Sequence, residues 1–291
     1  MATIQFVFSQ QSGRHYATPS VGTRFYVGAE VTYQGRHGLT NLRVADGPVY
    51  RPEDYVAEYG HWAWMLYPTA QCESLGSFHC LNTYDRAAFT FTFLQFAAHV
   101  PDGDFVRLLR ALLALPEARD YFPFLELRQG RIWYVRSRQA TQLESSSSTA
   151  GLMRYLNADQ HEVDGQELIS AARMVHWAQQ SGAHRAMQVS TGIALFQEKL
   201  REHAVRFNLD GWPDYICHAI CDIFHQGRAR YKAVHDILGS TGNKEAIYQK
   251  LLNVGGTLYA GRIKTLKAVH KKLRDSGVFG KKYNLASGDF R

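Results

Sequence analysis

The sequence predicts an α+β protein, mainly α, built as two lobes with a small β-sheet at the cleft. Three observations carry this. Strand-like alternation is concentrated in the first hundred residues, and helical periodicity takes over beyond residue 150. A serine-rich stretch at 141–151, Thr-Gln-Leu-Glu-Ser-Ser-Ser-Ser-Thr-Ala-Gly, separates the two regimes and marks the expected lobe boundary. The chain therefore divides into a short β-rich segment at 1–50, a lobe at 51–145 that carries the sheet, and a helical lobe at 151–291 with a basic end.

The elements follow in order. Ile4 to Phe8 and Arg24 to Tyr33 alternate apolar and polar residues between Gly, Ser and Pro, which predicts short strands. Arg51-Pro52-Glu53-Asp54 is a helix start, with Pro set for the first turn and acids near the positive end of the dipole. That helix is expected to reach about Tyr67 and break at Pro68. Thr83 to Phe96 reads as a strand at its start, with Phe89, Phe91 and Phe93 on one side and Thr90 and Thr92 on the other. Pro101-Asp102-Gly103-Asp104 precedes an amphipathic helix over 105–115. Asp164 and Glu167 make a capping box ahead of a helix over 168–179. Further helices are expected at 189–206, 213–225, 228–238, 244–253 and 259–274.

Composition narrows the function classes. With 291 residues, 45% apolar and 20% charged, the chain can bury its own core without staples, which excludes a disordered or coiled-coil protein. A net charge of +7, concentrated at 261–282, implies an anionic partner: nucleic acid, a membrane surface or a cell-wall polymer. No run approaches 18 apolar residues and the first residues lack a signal-peptide pattern, so the chain is expected to be made in the cytoplasm and not to insert stably into a membrane. The four cysteines fall as Cys72/Cys80 and Cys217/Cys221, and are expected to be thiols.

Cutting a glycosidic bond takes two carboxylates, one protonated to donate to the leaving oxygen and one ionised to activate water. Glu73 closes a helical region, and twelve residues on Asp85 opens the strand that bears Thr90, with Gln95 beyond. Asp85-Arg86-Ala87-Ala88-Phe89-Thr90, then Gln95-Phe96 and Gly103-Asp104, resembles the Asp-x-x-Gly-Tyr-Thr strand motif of the inverting bacterial chitosanases, with its following Gly-Phe and Gly-Asp. Asp222-Ile223-Phe224-His225-Gln226-Gly227 is similar to the Asp-x-x-x-x-His-Gly segment of that family, one residue shorter. Glu245 to Leu252 resembles its Glu-x-x-Tyr helix, and Arg262 falls where its next arginine stands. The resemblance spans about residues 70–270. It departs at Ala87 and Ala88, where the family has glycine, and in a shorter Glu-to-Asp interval.

The resemblance implies a lysozyme-like fold and a set of roles. Glu73 is the expected general acid, its pKa raised by Trp62, Trp64 and Phe78. Asp85 is the base that holds the attacking water, and Thr90 helps to orient it. An inverting pair stands ~6.5–9.5 Å apart. Tyr84, Arg86, Gln95, His225 and Gln226 are expected at the substrate, and Asp222, Arg262 and either Arg228 or Arg230 in an ion network. No metal or cofactor is expected. Chitosan is a polycation and this chain is basic, so charge favours anionic peptidoglycan and muramidase action, with chitosanase as the alternative. The partners expected are the polysaccharide itself, a delivery machinery and an immunity protein, with action on the cell wall after lysis or injection as an antibacterial toxin.

Rival readings use other residues. Cys217, His218, Cys221, Asp222 and His225 share one helix at spacings that suit a metal face, but no second ligand cluster follows. The basic end suits a nucleic-acid module, yet it lacks interleaved aromatics and any helix-turn-helix or zinc-finger spacing. A non-catalytic sugar-binding protein on the same fold is the third alternative.

Overall fold

Alternation at the start of the chain closes into a meander. The computed structural model describes residues 3–42 and 46–291. Strands β1 (Phe6–Gln11), β2 (Arg14–Pro19), β3 (Phe25–Tyr33) and β4 (Arg36–Thr40) lead through a 3-10 turn at Pro52–Asp54 to α1 (Val56–Tyr59) and α2 (His61–Ser74). Next come β5 (Leu81–Asn82), β6 (Thr90–Phe91), β7 (Phe96–Ala97), α3 (Asp104–Leu113), α4 (Ala118–Tyr121), β8 (Leu125–Arg128), β9 (Arg131–Arg136) and β10 (Gln139–Gln142). The rest is α5 (Ala150–Leu156), α6 (Gly165–Gln180), α7 (Gly182–Phe207), α8 (Asp214–Gln226), α9 (Tyr231–Leu238), α10 (Lys244–Leu252), α11 (Ala260–Asp275), β11 (Tyr283–Asn284) and β12 (Asp289–Phe290). The fold is α+β, with 47% helix against 19% strand, so helix predominates as expected.

The compact units do not follow the expected segments. One comprises 1–50 with 74–191, the other 51–73 with 192–291. The β-rich start is not a separate piece, because its strands continue into the later ones: β1 to β7 form one seven-stranded antiparallel sheet in chain order, joined where Thr40 pairs with Asn82. Gly38 permits this join, since a Cβ there would sit 2.6 Å from Thr83 Oγ1. The sheet is thus larger than the small one expected. A second meander of β8, β9 and β10, which the sequence did not announce, lies in the same unit.

The serine-rich stretch is not a linker. Glu144 has a fully buried side chain that accepts from Arg110 Nε at 3.1 Å, Arg131 Nη1 at 3.1 Å and the Ile132 amide at 3.0 Å. Ser145 and Ser148 then close a tight turn into α5, and Leu152 N donates to the Leu143 carbonyl. Buried charge and backbone pairing tie the stretch into the first unit.

Two local expectations also change. The expected break at Pro68 does not occur: α2 runs through it to Ser74, at the cost of the hydrogen bond a residue-68 N–H would give, and the chain breaks at Gly60 (φ 56°). Of the expected 83–96 strand only β6 and the first residue of β7 remain extended, because Ala88, Thr92 and Gln95 all take positive φ and turn the chain. Phe89, Phe91 and Phe93 are buried, and so are Thr90 and Thr92, so both faces are covered.

In the second unit, helices α8 to α11 lie close to their expected bounds. The end of the chain is held by buried Asp214, whose carboxylate accepts from the amides of Gly280 and Lys281 and lies 2.9 Å from His61 Nε2 at the start of α2. Among the described residues no helix is long and apolar enough to cross a membrane. The four cysteines are thiols.

Candidate active site

Helix α2 presents Thr69 and Glu73 one turn apart, and α8 presents His218, Asp222 and Gln226 at the same spacing, so each set shares a helix face. Gly227 ends α8 in the left-handed conformation (φ 70°), and Arg228 follows at once with its amide on the Ile223 carbonyl. Arg262 opens α11. These segments converge in the second unit.

At the centre is Asp222, fully buried. Arg262 grips it with two bonds, Nη2 to Oδ1 at 2.6 Å and Nε to Oδ2 at 3.1 Å. Arg228, also fully buried, donates Nη2 to Oδ2 at 2.8 Å, and Thr69 donates its hydroxyl to Oδ1 at 2.9 Å. Four donors satisfy one carboxylate, and they outweigh its desolvation: the neighbouring arginines hold Asp222 far below the usual carboxylate range. Arg228 spends a second donor on the Val254 carbonyl at 2.8 Å.

Arg262 has one nitrogen left, and this reaches Glu73. Nη1 donates to Glu73 Oε1 at 2.7 Å and to Gln226 Oε1 at 2.9 Å, while His225 Nε2 stands 3.5 Å from the same Glu73 oxygen. The Glu73 side chain keeps 14% of its surface exposed. Burial pushes its pKa up, but the bond from His225 and the charge of Arg262 outweigh it, and the net shift is downward. This corrects the expected environment. Trp62 packs on Phe290 and Trp64 on Tyr67, and Phe78 packs on Tyr50 and Phe93 in the other unit, so Glu73 sits among cations and is ionised near neutrality.

The second group of expected residues lies in the first unit. Asp85 stands in the turn between β5 and β6, where its Oδ1 accepts from the Ala87 amide at 2.8 Å and its Oδ2 from Asn82 Nδ2 at 3.3 Å. That is an Asx turn, and both oxygens have partners. Tyr84 packs edge-on to Tyr33, and burial raises its pKa. Arg86 is exposed and Thr90 is buried on β6. Gln95 spends its amide nitrogen on the carbonyls of Thr92 and Cys80, at 2.9 and 3.3 Å, so that group closes a turn.

The structure thus brings together Glu73, Asp222, His225, Gln226, Arg228 and Arg262, and places Tyr84, Asp85, Arg86, Thr90 and Gln95 in the other unit. Among the described residues no group of three or more His, Cys, Asp or Glu is arranged to hold a metal; His218 and Asp222 of the suggested metal face bond to Thr69 instead. Glu245 pairs with Arg274, apart from the network.

Two residues escaped the sequence reading. Thr69 is legible only through its spacing from Glu73. The sequence makes Glu167 half of a capping box, and the Asp164 side chain does accept from the Glu167 amide. The Glu167 carboxyl, however, turns inward. It is fully buried, accepts from the Leu39 amide at 3.1 Å and from the Thr83 hydroxyl, and burial raises it to about 7.

Comparison with known proteins adds no relative. No protein-family model matches the chain, and no curated protein or solved structure does so either.

Proposed function

We propose that this protein is a lysozyme-like glycoside hydrolase that cuts peptidoglycan, with Glu73 as its proton donor. One observation carries the reading. Segments as far as 189 residues apart in sequence converge on a partly exposed Glu73, held by an arginine that a buried aspartate orients. Fixing a charge in this way costs desolvation, and such ordered ionisable clusters concentrate at functional sites. The basic character of the chain supports an anionic polymer as substrate.

The proton economy follows from the geometry. Glu73 is ionised in the free protein, so it must be loaded before it can donate to a leaving oxygen. Hydrolysis is therefore expected to rise as pH falls toward the lowered range in which Glu73 takes up a proton. The charge partner of Glu73 also favours a second reading, a non-catalytic sugar-binding protein, because a carboxylate already neutralised by Arg262 needs no chemistry to be stable.

Release of reducing ends from peptidoglycan and from chitosan, by the native protein and Glu73→Gln, separates these readings. Peptidoglycan cleavage abolished by the substitution supports the proposal, and cleavage of chitosan alone makes the enzyme a chitosanase. Binding to glycan without cleavage makes it a sugar-binding protein. Inversion at the new anomeric centre, read by NMR in the first minutes, is expected for two carboxylates that act through water.

A further inference from the structure

Behind Asp222 the ion network continues as a chain of neutral groups inside the second unit. Thr69 has one hydroxyl hydrogen, and Asp222 takes it. His218 Nε2, 3.2 Å from the same hydroxyl oxygen, must therefore be the donor to it, which leaves His218 Nδ1 as an acceptor. His270 Nε2 is 2.8 Å from that nitrogen and supplies the hydrogen. His270 Nδ1 in turn accepts from the Tyr248 hydroxyl at 3.0 Å.

Thr69, His218, His270 and Asp222 have no exposed surface and Tyr248 has 3%, so these groups depend on one another for partners. Burial lowers His218 to about 4 and His270 well below its usual value, so each ring is neutral near pH 7 and carries one N–H. Only one arrangement then satisfies every donor and acceptor. Its direction is set by the ionised end, Asp222.

We propose that Tyr248, His270, His218 and Thr69 form a positioning relay that fixes the Asp222 carboxylate and, through the two bonds of Arg262, the carboxylate of Glu73. The relay ties α10, α11, α8 and α2 to one charge. The hydrogen-bond order requires Nε2–H on both rings, and what separates a relay from a merely structural cluster is its effect on Glu73. The catalytic consequence rests on the glycosidase reading of Glu73; the hydrogen-bond order does not.

The test has two arms on the full chain. In the first, nitrogen-15 NMR of the imidazoles at pH 7 is expected to show both His218 and His270 as the neutral Nε2–H tautomer. A protonated Nδ1 on either ring overturns the relay. In the second, Thr69→Val removes the hydroxyl at nearly constant volume and Thr69→Ser restores it. With a soluble glycan oligomer as substrate, the valine variant is expected to lose about tenfold in kcat with KM within twofold, and the serine variant to regain it. The titration midpoint of Glu73, followed by carbon-13 NMR, is expected to rise in the valine variant alone. An unchanged midpoint, or a serine variant as impaired as valine, overturns the relay. If the native chain cuts no glycan, the glycosidase reading fails while tautomers and midpoint still judge the relay. If the valine variant does not fold, the tautomers of the native chain decide.

Discussion

Glu73, partly buried, and Glu167, fully buried, are carboxylates of one chain whose protons behave in opposite ways. Both lose water, which alone favours the neutral acid. Glu73 has a guanidinium at 2.7 Å and a histidine at 3.5 Å, and its pKa falls. Glu167 has only an amide and a hydroxyl for partners, and its pKa climbs to about 7. The contrast teaches that burial sets the size of the stake and the partner sets its sign. It also shows why an apolar neighbourhood read from sequence misleads: the groups that decide for Glu73 are His225 and Arg262, both far along the chain.

The largest effect expected from breaking this contrast is at Asp222. Asp222→Asn would leave Arg228, fully buried, and Arg262 without their shared carboxylate. A loss of about 3–5 kcal/mol in urea unfolding is expected. A loss near zero would mean that water or another acid replaces Asp222.

Next in size is Glu167. Its folded pKa of about 7 lies above the ordinary 4.5, so the folded form holds the proton more tightly than the unfolded form. Stability from this group is full below about pH 4.5 and falls as pH rises to about 7, by up to about 3 kcal/mol. Glu167→Gln is expected to flatten that fall in a series of denaturation curves. A slope identical to the native one would show that Glu167 titrates normally.

Glu73 should show the reverse slope and a smaller one. Its folded pKa is lowered, so its stabilisation is present above about pH 4.5 and is lost as pH falls below that value. Glu73→Gln removes this acid limb while leaving the slope above it untouched. An acid limb that survives the substitution would place the responsible carboxylate elsewhere.

The smallest effect on stability is expected at Asp85. Asn keeps an acceptor for the Ala87 amide, so Asp85→Asn should change the unfolding free energy by no more than about 0.5 kcal/mol. A larger loss would show that the carboxylate charge itself holds the turn.

Legibility followed the range of the interactions. The helices of 165–275 rest on local periodicity and caps, such as Asp164 on the Glu167 amide and Asn243 on the amides of Glu245 and Ala246, and most could be read from sequence, although α7 begins at Gly182, well before its expected start at 189. The 83–96 segment could not. Its β-branched and aromatic run promised a strand, but positive φ at Ala88, Thr92 and Gln95 depends on contacts that pair spacing does not encode. The serine-rich stretch misled for a similar reason, since Arg110 and Arg131 decide its fate by binding Glu144. Within the candidate site, Asp222, Arg228 and Arg262 were named from family resemblance, whereas Thr69 and the carboxyl of Glu167 needed the fold.

The most direct measurement compares clearance of a purified peptidoglycan suspension at pH 5 by the native protein and by Glu73→Gln, with matched circular dichroism to show that both are folded. Clearance by the native protein and a loss of at least about a hundredfold in the variant are predicted. No clearance by the native protein, or equal rates for the two, would contradict the assignment of Glu73 as the proton donor of a cell-wall glycosidase.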